Sequence, residues 1–106
     1  MSIEELLTTG LPLRKEDFDS ITDMRLVQTQ YESVDNCPGA RCLKRLFPRL
    51  CDSGQLRMGY SHIIYQNKYS KQLHFNGSIL QHAAKELHTG ANEVIIPFYG
   101  EFVTRA

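Results

Sequence analysis

The sequence predicts an α+β fold: a four-stranded antiparallel sheet with helices on one face, in the ferredoxin-like βαββαβ order, preceded by one or two short N-terminal helices. Three observations predict it. Two segments space their apolar residues as amphipathic helices do, other segments alternate apolar and polar residues as strands do, and turn-forming residues separate them. At 106 residues, the chain is expected to fold as a single domain spanning 1–106.

Two short helices are expected at the N-terminus. Ser2 and Glu5 form the capping box of the first helix, since a Ser three residues before a Glu satisfies the first backbone N–H groups. Residues 15–24 predict the second helix, because Phe18 and Ile21 lie three apart after an acidic first turn, where negative charge suits the helix dipole.

The next two elements are a strand and a helix. Residues 25–34 alternate polar residues with the strand formers Val27, Thr29 and Tyr31, which predicts the first strand. A helix is then indicated by four apolar residues at i, i+3, i+4 and i+7, namely Leu43, Leu46, Phe47 and Leu50. Pro48 removes a backbone hydrogen bond, so a kink or a break is expected near residue 47.

An antiparallel hairpin is predicted next. Residues 56–65 alternate throughout, so we expect one strand whose inward side chains are Leu56, Met58, Tyr60, His62 and Ile64. A connection at 67–70 leads to a shorter strand over 71–76. The inward set of the longer strand is expected to form part of the core.

A helix and a strand complete the pattern. Ser78 is expected to open the last helix and Gly90 to end it, with an apolar face between them. Residues 93–99 form a nearly continuous apolar run that predicts the last strand. Pro97 cannot donate to a strand ladder, so this strand is expected at an edge of the sheet or at a bulge.

Charge is unevenly distributed along a chain whose net charge is zero. Residues 1–36 hold eight acidic and three basic residues, whereas residues 37–72 hold seven basic residues and one acidic residue. A basic segment attracts phosphates or acidic protein surfaces. The alternative, which we favour, is that the two halves neutralise each other in the folded chain.

Two binding hypotheses follow from these patterns. The favoured one is a non-enzymatic binding or regulatory protein that contacts another protein, or a second copy of itself, through the exposed strand edge carrying Val94, Ile95, Phe98 and Tyr99. The alternative is a nucleic-acid-binding module, RNA or DNA, that uses the basic segment 41–71. Arg41, Arg45 and Arg49 recur every four residues, so they would form a basic ridge if the helix continued past Pro48. Its candidate residues are Arg41, Lys44, Arg45, Arg49, Arg57, Lys68, Lys71 and Tyr69.

Catalytic and metal sites are not indicated. Cys37, Cys42 and Cys51, with His62, lack the paired short spacings of zinc sites, and His82, Glu86 and His88 do not share one helical face. The sequence contains no phosphate-binding glycine loop and no glycine-flanked nucleophile. We expect no cofactor and no metal, and a small enzyme with an unrecognised site is the second alternative.

The sequence also predicts a cytoplasmic location. No stretch approaches the ~20 apolar residues that span a bilayer, and the first residues lack the basic region of a secretory signal. Three cysteines are an odd number, which favours reduced thiols over a disulfide framework.

Overall fold

A computed structural model of the chain describes residues 1–18, 37–58, 62–66, 69–73 and 77–104. These residues form a mixed α+β fold with two separate antiparallel sheets. The helices are α1 (Ile3–Thr9), a 3₁₀ helix (Lys15–Phe18), α2 (Pro38–Leu46), α3 (Pro48–Asp52) and α4 (Gly77–His88). The strands are β1 (Leu11–Leu13), β2 (Leu56–Met58), β3 (His62–Tyr65), β4 (Tyr69–Leu73), β5 (Val94–Ile96) and β6 (Phe98–Thr104).

The two sheets join distant parts of the sequence. In the smaller sheet, β1 pairs antiparallel with β5, so that Leu11 lies opposite Ile96 and Leu13 opposite Val94. In the larger sheet, the strands follow the order β2-β3-β4-β6, and each neighbouring pair is antiparallel.

The N-terminal prediction is confirmed for the first helix. The Ser2 hydroxyl accepts a hydrogen bond from the Glu5 backbone N–H at 3.2 Å, and α1 ends at Gly10, whose N–H donates to the Leu6 carbonyl. Of the second predicted helix, residues 15–24, only a 3₁₀ turn at Lys15–Phe18 lies within the described residues.

The predicted break near residue 47 is confirmed. α2 ends at Leu46, Phe47 has a non-helical backbone, and Pro48 is the first residue of α3. Proline is well suited to that position, because the first N–H of a helix has no intrahelical partner. The break therefore divides the predicted apolar stripe between two short helices.

The prediction of one strand over residues 56–65 is wrong. β2 and β3 are separate strands that pair with each other, with Leu56 opposite Tyr65. The alternation also changes phase: Leu56 and Met58 are buried as predicted, but on β3 the buried side chain is Ile63 rather than His62 or Ile64. Alternation looks the same before and after a chain reversal, so the pattern did not locate the reversal.

The ferredoxin-like sheet is not shown by the described residues. In the structure, β4 pairs with β6, the last strand of the chain. In the predicted order, the first strand would pair with β4 instead. That first strand, residues 25–34, lies outside the described residues. The hairpin itself is confirmed, since β3 and β4 pair antiparallel with Tyr65 opposite Tyr69. Its predicted connection at 67–70 is wrong in part, because Tyr69 and Ser70 already belong to β4, and residues 74–76 of the predicted strand lie outside the described residues.

The last helix is confirmed, although it begins at Gly77, and the strand after it is divided. Residues 93–99 are not one strand: β5 ends before Pro97 and β6 begins after it. The two strands belong to different sheets, because β5 pairs with β1 and β6 pairs with β4. Pro97 therefore marks the passage of the chain from one sheet to the other.

Both sheets contribute to one hydrophobic core. Its fully buried side chains come from α1, β1, the 3₁₀ helix, α2, β2, β3 and α4, and the largest are Phe18, Leu6, Leu11, Leu13, Leu43, Leu56, Ile63 and Leu80. In the described part of the chain, no helix has the length and apolar character needed to cross a membrane.

Candidate functional site

The basic residues predicted to bind nucleic acid do not form one continuous ridge. Arg41, Lys44 and Arg45 lie on α2, whereas Arg49 lies beyond the break on α3. Arg57 lies on β2, Lys71 and Tyr69 lie on β4, and Lys68 falls outside the described residues. The side chains of Lys44, Arg49 and Arg57 are exposed, and that of Arg41 is half-buried.

Arg45 is a structural cation. Its Nε and Nη2 atoms donate to the two carboxylate oxygens of Asp17 at 3.2 and 3.0 Å, and its Nη2 also donates to the Pro12 carbonyl at 2.9 Å. Glu16 adds a second carboxylate at 3.2 Å. A guanidinium that makes a two-pronged contact with one carboxylate is held firmly, so Arg45 is not available to a phosphate.

Asp17 is the other half of this contact. Only 2% of its side chain is exposed, and it also accepts a hydrogen bond from the Arg14 backbone N–H at 2.9 Å. Partial burial by itself lowers the pKa of Arg45, but the hydrogen bond to Asp17 and the surrounding negative charge raise that pKa overall. At this point the acidic N-terminal part and the basic segment neutralise each other in the folded chain.

The sequence contained no local signal for the Asp17 contact. Asp17 lies in an acidic first turn, whose negative charge was related only to the helix dipole, and its partner follows 28 residues later. Pro12 lies in a strand that the sequence did not indicate. The charge asymmetry between the two halves was the only pattern that pointed to this neutralisation.

The three cysteines are free thiols with different surroundings. Cys42 is fully buried, and its thiol donates to the Pro12 carbonyl at 3.1 Å. Cys37 is buried at the start of α2, where its sulfur accepts from the Ala40 N–H at 3.3 Å. Cys51 is half-buried. Burial is the main cause that raises the pKa of each thiol, so none of them is activated as a nucleophile.

The candidate metal clusters are not assembled in the described residues, where no three His, Cys, Asp or Glu side chains are placed to hold one ion. His82 pairs with Glu86 at 3.2 Å on the exposed side of α4. The Nδ1 atom of His88 donates to the carbonyl of Ala84 at 2.7 Å, which directs that nitrogen to its own helix.

A pH dependence of stability follows from the raised thiol pKa values. In the unfolded chain a cysteine ionises near its ordinary pKa of 9.0, whereas Cys42 in the folded chain stays protonated. Its stabilising contribution is therefore complete below pH 9 and is lost as the pH rises. The stability advantage of the native chain over a Cys42→Ala variant is expected to shrink by about 1.4 kcal/mol between pH 8 and 10.

Urea denaturation of both proteins at the two pH values measures this difference. Cys51→Ala serves as the control, because a half-buried thiol is expected to show a smaller change. An advantage of the native chain that is the same at pH 8 and 10 would mean that the Cys42 thiol ionises as easily in the folded state as in the unfolded one.

The terminal-strand surface, defined here as Val94, Ile95, Phe98 and Tyr99, is partly exposed. Ile95 is 50% exposed and Tyr99 is 47% exposed, and with Met1 they are the exposed large hydrophobic residues of the described chain. Val94 and Phe98 are half-buried, and Ile96 between them is buried. The chain thus presents apolar side chains on both sides of Pro97.

Both strands of this surface have an edge without a partner strand among the described residues. β5 pairs only with β1, and β6 lies at one end of the larger sheet. A strand edge exposes backbone N–H and C=O groups that another chain can pair with.

Comparisons of the chain with protein-family models, with curated proteins and with solved structures found no match.

Proposed function

We propose that this chain is a binding or regulatory protein that contacts another protein through the terminal-strand surface. The observation that carries the proposal is the exposure of Ile95 and Tyr99, four residues apart, on two strands that each have an unpaired edge among the described residues. Main-chain pairing along a strand edge gives affinity, and neighbouring side chains give specificity.

The charges of the chain support a protein partner over nucleic acid. Arg45, at the centre of the predicted basic ridge, is already occupied by Asp17 and Glu16. Arg49 is separated from it by the break at Phe47. In the described part of the basic segment, the exposed cations are Lys44, Arg49 and Arg57, which is a smaller electrostatic footprint than the phosphate-tracking surfaces of nucleic-acid-binding domains.

The apolar character of the surface suits a protein partner as well. Aromatic residues such as Tyr are enriched in protein interfaces, and an aliphatic side chain that inserts into a partner pocket supplies affinity that salt does not weaken. The partner can be a different protein or a second copy of this chain, since an edge strand can pair with its own copy around a two-fold axis.

Ile95→Lys is the variant that tests the proposal. The Ile95 side chain is half exposed, so this substitution is expected to change the free energy of unfolding by about 0.5 kcal/mol or less. In contrast, a lysine at this position places a charge in the contact and is expected to abolish partner binding. The matched control is Gln55→Lys, which adds the same charge to an exposed residue next to β2, at the opposite end of the larger sheet.

The measurement is quantitative affinity purification from cells that also carry a second, differently tagged copy of the chain. A protein that the native chain and Gln55→Lys recover, and Ile95→Lys does not, supports the proposal; recovery of the second copy identifies self-association. Nuclease treatment and washes between about 50 and 200 mM salt distinguish a protein contact from the nucleic-acid-binding alternative, because phosphate contacts weaken steeply over this range. Equal recovery by all three proteins would contradict the proposed surface.

A further inference from the structure

The pairing of β1 with β5 determines which backbone groups of β5 face outward. Opposed residues of an antiparallel pair alternate between those that exchange two hydrogen bonds and those that exchange none. Pro12 lies opposite Ile95 and has no N–H to donate, and its carbonyl already accepts from Arg45 at 2.9 Å and from Cys42 at 3.1 Å. Pro12 and Ile95 therefore exchange no hydrogen bond, and the N–H and C=O of Ile95 point away from β1.

Ile95 is the residue of β5 that presents both backbone groups at the open edge. Val94 and Ile96 lie opposite Leu13 and Leu11, so by the same alternation their N–H and C=O groups point to β1. In the described part of the chain, β5 has no second partner strand and Ile95 has no other hydrogen-bond partner. Its side chain is 50% exposed. One donor, one acceptor and one apolar side chain thus meet at a single residue.

We infer that the occupant of this edge is a second copy of the chain, whose β5 pairs antiparallel with the first around a two-fold axis between the two Ile95 residues. The N–H of each Ile95 donates to the C=O of the other, so that one pair of residues satisfies all four groups. The two side chains then lie side by side on one face, where apolar cross-strand pairs stabilise a sheet. This inference rests on the proposed function, because it identifies the partner of the same surface.

The charges near β5 favour a second copy. Exposed edge strands commonly carry charged residues that prevent self-pairing, but residues 94–99 include none, and the net charge of the chain is zero. Glu93, just before β5, is paired with Arg14 of its own chain at 3.3 Å. A two-fold axis at Ile95 places the two Glu93 residues at opposite ends of the contact, so like charges do not face each other. Pro97 ends β5 and keeps the contact short.

Single-cysteine cross-linking tests the two-fold register. The background is Cys51→Ala, since the other two thiols are buried. Residues that exchange hydrogen bonds in an antiparallel pair have Cα atoms about 5.5 Å apart, within the range of a disulfide. Under mild oxidation, Ile95→Cys is expected to form a covalent dimer at least about tenfold faster than the exposed control Gln55→Cys, because its paired thiols react within one complex. Val94→Cys is the register control and is expected to remain monomeric.

Sedimentation equilibrium of the purified chain over a range of concentrations measures the association itself. The native chain and Gln55→Lys are expected to dimerise equally, whereas Ile95→Lys is expected to raise the dissociation constant at least about tenfold, because two like charges would lie opposite each other. A dimer that persists in Ile95→Lys, or equal cross-linking of Ile95→Cys and Gln55→Cys, would overturn the inference. A native chain that stays monomeric at every concentration, yet recovers a different protein that Ile95→Lys loses, would overturn self-pairing and leave the proposed function standing.

Discussion

Replacing Arg45 with methionine is expected to lower the free energy of unfolding by about 3 kcal/mol, because it leaves the buried carboxylate of Asp17 without its counter-charge. Asp17 is only 2% exposed, so water cannot replace the two hydrogen bonds that Arg45 donates to it. The Pro12 carbonyl loses a donor as well. Chemical denaturation monitored by circular dichroism measures the change.

Two further variants distinguish loss of the ion pair from loss of packing. Arg49→Met removes an exposed cation from α3 and is expected to change stability by about 0.5 kcal/mol or less. Asp17→Asn in the Arg45→Met background removes the buried charge while keeping an acceptor for the Arg14 N–H, and is expected to recover part of the loss. If Arg45→Met were as mild as Arg49→Met, the buried ion pair would not stabilise the fold.

Gly10→Ala is expected to be at least as damaging, with a loss of about 4 kcal/mol. Gly10 has φ +106° and ψ 176°, a backbone conformation that is accessible almost only to glycine. An added Cβ would also lie 2.7 Å from the Ile96 carbonyl oxygen and 2.7 Å from Cγ2 of Ile95. Because the carbonyl belongs to the backbone of β5, the clash cannot be relieved by rotating a side chain.

Gly54→Ala is the matched control for this prediction. Gly54 also has a positive φ, +77°, but an added Cβ would meet nothing within 4 Å. Only the backbone conformation is penalised there, so the expected loss is about 1 kcal/mol. Thermal or chemical denaturation of both variants measures the difference, and equal losses would mean that the close approach of Gly10 to β5 is not a tight contact.

Gly10→Ala therefore also connects the fold to the proposed surface. Gly10 follows α1 and precedes β1, the strand that holds β5 in place. Displacing β5 would move Ile95, whose side chain lies beside Gly10. A loss of partner binding in this variant is thus uninformative about the surface itself, which is why Ile95→Lys is the variant used for that question.

The elements that the sequence predicted well are those with local signals. Ser2 caps α1, Pro48 begins α3 after a break, and the apolar face of α4 is buried at Leu80, Ala83, Ala84 and Leu87. In each case the cause lies within one or two helical turns. Capping, proline geometry and helical spacing act over that distance, so they can be recognised in the sequence alone.

The pairing of strands could not be predicted in this way. Leu11–Leu13 is a strand only because β5, near the other end of the sequence, pairs with it. Pro12 lies within it, and the Pro12 carbonyl accepts hydrogen bonds from Arg45 and Cys42. Partners that are far apart in sequence determine such strands, and local patterns carry no information about them.

The candidate sites show the same division. The spacing of Arg41, Arg45 and Arg49 predicted a shared ridge, but a tertiary contact between Arg45 and Asp17 removes its central residue from ligand binding. Pro97 predicted an edge or a bulge, and the strands on both sides of it have unpaired edges among the described residues. Successive side chains of a strand point to opposite faces, so Ile95 is exposed where its neighbour Ile96 is buried. Ile96 lies opposite Leu11 of β1, a pairing that the sequence did not indicate.

Hydrogen exchange of the chain with and without its recovered partner, or above and below the concentration at which it self-associates, tests the proposed contact most directly. The backbone amides of residues 94–96, 98 and 99 are expected to gain protection in the complex, because the strand edges there pair with the partner. In Ile95→Lys this protection is expected to be absent, whereas Gln55→Lys should retain it. Protection that appears instead on α2, α3 and β2, with residues 94–99 unchanged, would contradict a contact through the terminal-strand surface.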